Sequence, residues 1–480
     1  MRILEWSGFE VLKHKHLSKK ISVSTGLTGL LSLKILSTNN GEPDTRHQTH
    51  YCPLYAYVSQ SMVNTNNQTT KSKSNRIEPM NRYWIITPEG AKALREYQYS
   101  GADNSLLYKY ILSPLAGWLV DHATPSTLAP NTITLSGFML MIASYLLISY
   151  HCPTIDHCSV EHSVPEWIFL FHAFALLIYQ TLDNMDGKQA RKTESSSPLG
   201  LIFDHGCDAM NTIIGSVNIL CAIGISTHDN LPQIFACVFI PMSAFFVATW
   251  EEYHTGKLIL PLINGPSEGI IINALVAATS WYYGRSFWHS TSLYRDYMEP
   301  YIPAFMVQHI PAHGFNLYTL AILFFLLNAI NEVTIKIIHV TRNHGVKSLL
   351  ELVPWVALTT LSWLIVSKDH QVFIRHQRIC LLLVASLFVE MVTALMLDHM
   401  THSKNKPFRK VLVPLILTLT AVDIHLEYDQ LETFFLAYTA IVCVFVAIKT
   451  TIVIREICSI LGIWCFDIVT PHPNKNKKIS

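Results

Sequence analysis

Thr132-Ile-Thr-Leu-Ser-Gly-Phe-Met-Leu-Met-Ile-Ala-Ser-Tyr-Leu-Leu-Ile-Ser-Tyr150 runs for nineteen residues without a charged side chain. The hydrocarbon core of a bilayer is about 30 Å thick and asks for roughly 20 apolar residues in a helix. A helix also satisfies its backbone N–H and C=O groups internally, as surroundings without water require. The stretch predicts a membrane span at 132–150, and the same reading recurs along the chain. Further spans are expected at 167–182, 209–226, 233–249, 269–284, 316–340, 349–367, 379–397, 411–424 and 434–457, ten in all, with 269–284 and 411–424 the shortest. Pro241 and Pro354 fall inside or near spans, which is tolerable where neighbouring helices or water satisfy the freed carbonyls.

Composition points the same way. Of 480 residues only 14% are charged, against about 25% in an average soluble chain, while 50% are apolar. Mean hydropathy is positive. A soluble protein of this size needs a charged shell that these residues cannot make, and the same numbers exclude disorder over most of the length. Lys+Arg 35 against Asp+Glu 34 excludes a strongly basic nucleic-acid binder. The fold class expected is all-α: a polytopic membrane helix bundle of about ten spans plus an interfacial N-terminal helix.

Loop charge sets an orientation. Loops after even-numbered spans, with the C-terminus, carry Lys188, Arg191, Lys192, Lys257, Arg342, Lys347, Lys404, Lys406, Arg409, Lys410, Lys475, Lys477 and Lys478. Loops after odd-numbered spans carry only Arg285, Arg295, Lys368, Arg375 and Arg378. The positive-inside rule then places both termini and the even loops in the cytosol.

Residues 1–80 are polar and read as a disordered, mildly basic cytosolic tail. An interfacial amphipathic segment, 81–131, follows. Within it Ser105 to Trp118 is too short to span, and its tyrosines and Trp118 suit the headgroup boundary. A transmembrane core at 132–340 leads to C-terminal membrane helices at 341–470 and a basic tail at 471–480. Cys152 and Cys158 share one predicted lumenal loop, where a disulfide and two free thiols are both open.

One cluster carries chemistry: Thr181-Leu-Asp183-Asn-Met-Asp186-Gly187-Lys188-Gln-Ala190-Arg191, then Gly200-Leu-Ile-Phe-Asp204-His205-Gly-Cys-Asp208. Asp183, Asp186, Ala190 and Arg191 share one helical face, and so do Asp204 and Asp208. Ionisable groups at membrane level are expensive and normally face a bundle interior or a water-filled cavity. A lone Asp at a helix end would be an ordinary solvated residue. Four close carboxylates repel one another unless a cation neutralises them. All-oxygen ligands suit Mg²⁺, or Mn²⁺ in its place. Two such ions bridged by carboxylates form a clamp for in-line attack at phosphorus. Gly187 and Gly200 would let a phosphate-bearing ligand approach the backbone, and Arg191 is a candidate bidentate phosphate partner.

The spacing D-x2-D-G-x2-A-R-x8-G-x3-D-x3-D resembles the signature of the CDP-alcohol phosphotransferase family, with every fixed position present. Eight fixed positions at background frequencies near ~0.06 match by chance about once in ten thousand million starts. Ala129-Pro-Asn131-Thr-Ile-Thr134 is similar to the family's Pro-Asn-x-Ile-Thr segment. Gln189 to Asp208, Trp250 to Lys257 and Asn264 to Gly269 resemble the choline/ethanolamine phosphotransferase branch, with coverage good from about 81 to 285. Leu201 stands where many relatives carry Glu, outside the fixed carboxylates.

The resemblance implies transfer of phosphoethanolamine or phosphocholine from CDP-ethanolamine or CDP-choline to diacylglycerol, with release of CMP. It implies two Mg²⁺ or Mn²⁺ ions on Asp183, Asp186, Asp204 and Asp208. Asn131, Gly187, Lys188, Arg191 and Gly200 would hold the CDP moiety, with Lys188 equally suited to anchoring the helix end. Asp208, Asp204 and His205 are the candidates to take the proton from the acceptor hydroxyl, with an Asp ahead of His205. Glu251, Glu252 and His254 would close the cavity, whether to read the amino-alcohol head or to anchor a helix end. The endoplasmic reticulum or Golgi membrane, a cytosol-facing site and a homodimer belong to the same expectation. Two other readings compete: a CDP-diacylglycerol-dependent phosphatidyltransferase, typically about half this length with fewer spans, and a transporter or channel. The second predicts mid-membrane helix breaks and internal repeats; the sequence shows no repeat, and its carboxylates cluster at one interface.

Overall fold

The computed structural model describes residues 19–25, 31–37, 83–227, 230–308, 310, 314–368, 370–423 and 428–473. The chain divides into two units, Met1–Glu78 and Pro79–Ser480. In the first, β1 (Lys19–Thr25) pairs antiparallel with β2 (Leu31–Ser37), setting Ile21 opposite Ile35 and Val23 opposite Leu33. This ribbon lies where the sequence reading expects disorder. Its basis is a period-two alternation of apolar and polar residues, the pattern of a strand rather than of a helix. The rest of the expected tail lies outside the described residues, as does most of 471–480.

The second unit is a helix bundle. Short helices α1 (Pro88–Glu96) and α2 (Ser113–His122) precede α3 (Pro130–His151), α4 (Trp167–Lys192), α5 (Pro198–Ile223), α6 (Leu231–Thr255) and α7 (Ile270–Tyr283). Then come α8 (Leu317–His344), α9 (Val353–Lys368), α10 (His370–Met400), α11 (Val413–Asp423) and α12 (Tyr428–Leu461). Among the described residues, 8 helices are long and apolar enough to cross a membrane. The two shortest expected spans become helices of 14 and 11 residues, α7 and α11. Apolar length alone did not locate their ends: α7 stops where Gly284 turns to φ +79°, and a π-helical turn at Gly265–Gly269 runs directly into its start.

Burial orders the bundle. In their most apolar windows 72% of α5 and 78% of α10 is buried, against 6% of α8, so α5 and α10 form the centre and α8 the rim. Pro354 falls in the first turn of α9, where a missing N–H costs little, whereas Pro241 sits within α6.

Two ties set the N-terminal segment. Glu456 of α12 accepts from the backbone N–H of Trp84 at 2.6 Å and of Ile86 at 2.9 Å, and Arg95 donates to Ile460 O at 3.3 Å. Strand β3 (Gly101–Asp103) pairs in parallel with β4 (Leu258–Leu260), just after α6. On α2 and the turn before it Tyr110, Ile111 and Trp118 are exposed while Ala116 and Val120 are buried, the two-faced surface an interfacial helix needs. At the opposite end of the bundle Cys152 and Cys158 are joined by a disulfide, which settles that choice. Arg285 donates to Cys158 O and Ser159 O, and Arg378 to Cys152 O, so backbone carbonyls of the bridged loop are held by two arginines from distant helices.

Candidate active site

The site lies where α4 ends and α5 begins. Pro198 opens α5 with its φ already set, and the Ser197 side chain caps the first turn by accepting from Gly200 N. Asn131 lies in the first turn of α3, after Pro130. A Cβ added at Gly200 would meet Asn131 Oδ1 at 3.6 Å, so the starts of α3 and α5 lie side by side here. Such ends favour anions.

Asp183 and Asp186 project from α4 and Asp204 from α5. Each offers a carboxylate oxygen, and these oxygens lie within 4.8 Å of one another. Oδ1 of Asp183 and Oδ1 of Asp204 are buried without a hydrogen-bond partner. Buried, unpartnered like charges at this spacing are unfavourable, and a hard cation relieves both costs. The donor set fits one. Thr134 of α3 donates to Asp186, and Tyr179 of α4 donates to Asp208. Asp208 thus stands outside the tightest group of three. Neither hydroxyl partner was assigned a role from the sequence, although Thr134 belongs to the quoted Pro-Asn-x-Ile-Thr segment.

Around the carboxylates the candidates separate. Gly187 is open: a Cβ there would meet only Arg191 Nη1, at 3.6 Å. Arg191 is exposed, and its guanidinium has no hydrogen bond or ion pair among the described residues. Lys188 instead donates to Ser113 Oγ at 2.8 Å and Lys192 to Val120 O at 2.5 Å, tying α4 to α2. Asn131 Nδ2 donates to Cys465 O at 2.9 Å, so the segment after α12 holds a residue of the site.

The three residues from α6 also part company. Glu251 is taken by Lys336 Nζ at 2.6 Å and His339 Nδ1 at 2.8 Å, both on α8. His254 Nε2 lies 2.7 Å from Glu351, before α9. Glu252 alone turns toward the cluster. It is 1% exposed, and its Oε2 lies 3.6 Å from His205 Nε2, while His205 Nδ1 is 3.7 Å from Asp204. Tyr97, after α1, has its phenol pushed above its ordinary value first by burial and then by the charge of Glu252.

A cavity of about 370 Å³ reaches from Asp183 and Asp208 between α5, α6, α7 and α8. Its walls are mainly apolar, among them Met141, Leu176, Ile219, Ile240, Ile272 and Phe325. An acidic, cation-fitted centre thus adjoins an oily chamber within one bundle.

Carboxylates on two consecutive membrane helices, beside Gly187, Gly200 and the Arg191 guanidinium, make a cluster suited to a hard cation and an anionic ligand. Residues 127–259 match the family described as CDP-alcohol phosphatidyltransferase. A Dictyostelium discoideum protein described as uncharacterized CDP-alcohol phosphatidyltransferase class-I family protein 3 is 30% identical over 412 residues, covering 81% of this chain and 99% of that one. Choline/ethanolaminephosphotransferase 1 of Arabidopsis thaliana is 41% identical over 203 residues, covering 41% of this chain and 49% of its own. Ethanolaminephosphotransferase 1 of Mus musculus is 29% identical over 365 residues, covering 73% and 86% respectively. The chain belongs to the CDP-alcohol phosphatidyltransferase class-I family, and it is a phosphotransferase.

Proposed function

We propose that the protein transfers phosphoethanolamine or phosphocholine from the CDP-alcohol to 1,2-diacylglycerol, with release of CMP. The acceptor hydroxyl oxygen bonds to the β-phosphorus of the donor, the bond from that phosphorus to the CMP oxygen breaks, and one proton leaves the hydroxyl. The observation that carries this reading is the apolar cavity opening onto Asp183 and Asp208. Acyl chains fit such walls, and similarity to proteins named for transfer of phosphocholine or phosphoethanolamine supports a diacylglycerol acceptor over a CDP-diacylglycerol donor.

Asp183, Asp186, Asp204 and Asp208 would hold the metals. When bound, two Mg²⁺ or Mn²⁺ ions supply charge neutralisation at the pyrophosphate. Thr134 and Tyr179 fix two of the carboxylates through hydrogen bonds. Gly187 and Gly200 leave room for phosphate oxygens, the Arg191 guanidinium is free to meet them, and Asn131 lies beside Gly200. Lys188 serves as an anchor to the interfacial helix.

Asp208 lines the acceptor cavity and remains the candidate to receive the hydroxyl proton. A second reading has its own support. His205 sits between Asp204 and Glu252, a setting that stabilises an imidazolium after proton uptake. The protein would work in the endoplasmic reticulum or Golgi membrane with this end of the bundle in the cytosol, where CDP-alcohols are soluble.

The test is an assay of membranes carrying the full chain, with labelled CDP-choline, CDP-ethanolamine and CDP-diacylglycerol in parallel. CMP release from either CDP-amino-alcohol that depends on added diacylglycerol is expected. Release from CDP-diacylglycerol with a polar alcohol, and from neither of the others, would refute the reading.

A further inference from the structure

The acceptor cavity contains a buried amide, Asn211, that the protein leaves without a well-formed hydrogen bond at either end, Nδ2 or Oδ1. Asn211 on α5 is 6% exposed and lines the cavity, and the Tyr179 hydroxyl beside it already donates to Asp208. Its polar neighbours on the same helix behave differently. Thr212 returns its hydroxyl to Asp208 O at 2.9 Å, and Ser216 returns its own to Thr212 O at 2.7 Å. A buried amide with both ends unpaired costs free energy that an apolar residue there would save. Retaining it makes physical sense if a ligand completes it.

Its position says which ligand atom. Asp204, Asp208, Asn211 and Gly215 fall at i, i+4, i+7 and i+11, one stripe along α5. Asn211 is three residues past Asp208, about 4.5 Å further along the helix axis and away from the carboxylate end. In a glyceride whose free hydroxyl is at Asp208, the ester carbonyl on the neighbouring carbon is a few bonds away and reaches a similar depth. A carbonyl accepts from an amide N–H, and an ether oxygen accepts far more weakly. Asn273 of α7 offers a second unpartnered buried oxygen, and its Nδ2 lies 3.5 Å from the Cβ position of Gly215, deeper in the same chamber.

We infer that Asn211 is a specificity-determining residue that reads the acceptor's ester group, donating from Nδ2 to the carbonyl beside the reacting hydroxyl. The inference rests on the diacylglycerol reading above and adds to it that the protein discriminates ester-linked from ether-linked glycerides.

The test compares 1,2-dioleoylglycerol with its diether analogue, 1,2-dioleylglycerol, using the full chain in lipid nanodiscs with Mg²⁺ and the CDP-alcohol it uses. The wild type should favour the diester by about five- to tenfold in kcat/KM, the worth of one hydrogen bond to a neutral group. Asn211→Leu should bring that ratio close to one by raising KM for the diester, leaving the diether and the donor KM unchanged. A residue that merely holds water would leave the ratio as it was, and that result overturns the inference. Should Asn211→Leu not fold, Asn211→Ala serves, and a wild type indifferent to the two acceptors is by itself a refutation. Absence of CMP release with either acceptor would instead defeat the functional reading. Binding then decides the inference: saturating diester must raise the thermal midpoint more than diether does, and equal shifts overturn it.

Discussion

Replacing Gly187 by alanine should stabilise the protein while disabling it. Gly187 lies inside α4, four residues before Arg191 and beside Asp186. A Cβ there meets nothing nearer than Arg191 Nη1 at 3.6 Å, ordinary van der Waals contact with the end of a flexible side chain. Packing therefore imposes no penalty, and an alanine in a helix interior gains about 0.5–1 kcal/mol over glycine. On the proposed donor binding, the space the methyl takes is the space a phosphate oxygen needs between the helix backbone and Arg191. Displacing a reacting group by about 1 Å can cost roughly 10²-fold in rate. Gly187→Ala is expected to raise the thermal midpoint slightly while lowering kcat/KM for the CDP-alcohol by roughly that factor, with KM for diacylglycerol unchanged. The assay is CMP release at varied donor and acceptor, beside a melting curve of the same preparation. Wild-type donor kinetics in a stable Gly187→Ala protein would show that no phosphate comes close to this turn. A lowered midpoint would show that the glycine serves packing instead.

Three further outcomes are expected. Chelation should abolish CMP release, with Mg²⁺ or Mn²⁺ restoring it and Ca²⁺ doing so less well, since Ca²⁺ favours larger and looser coordination; full turnover in excess chelator would remove the metal reading. Asp208→Asn should lose roughly 10²–10⁴ in turnover while keeping more donor affinity than Asp183→Asn; if His205→Ala and Glu252→Gln lose turnover with donor binding intact and Asp208→Asn loses both, the proton goes to His205. Lys336→Met should destabilise the bundle by up to about 3–5 kcal/mol by leaving Glu251 with His339 as its one remaining partner among the described residues, and Glu251→Gln in the same chain should recover most of it; chemical denaturation reads both, and an additive double mutant would deny the pairing.

Much of the site was legible because it is written within single helices. Asp183 with Asp186, and Asp204 with Asp208, share faces through helical geometry alone, and no tertiary contact is needed to predict it. Glu251, Glu252 and His254 show the limit of that reasoning. They follow one another closely on α6, yet only Glu252 turns to His205, while Glu251 meets Lys336 and His254 meets Glu351. Nothing local to α6 announces a lysine on α8. Lys188 likewise lies among phosphate-binding candidates by spacing, and its bond to Ser113 depends on where α2 docks.

By itself the sequence determined that this is a helical membrane protein with a carboxylate cluster at one end of two consecutive helices. Apolar length, helical period and motif spacing are properties of contiguous residues, and the 132–150 stretch became α3 almost to the residue. Only the tertiary structure decided that α7 and α11 stop short, that Cys465 holds Asn131, that Tyr179 and Thr134 brace two of the carboxylates, and that an apolar chamber opens beside Asp208. Each of these brings together groups from helices far apart in the chain. Such meetings are set by how side chains interlock across the whole bundle, and no window of local sequence contains that information.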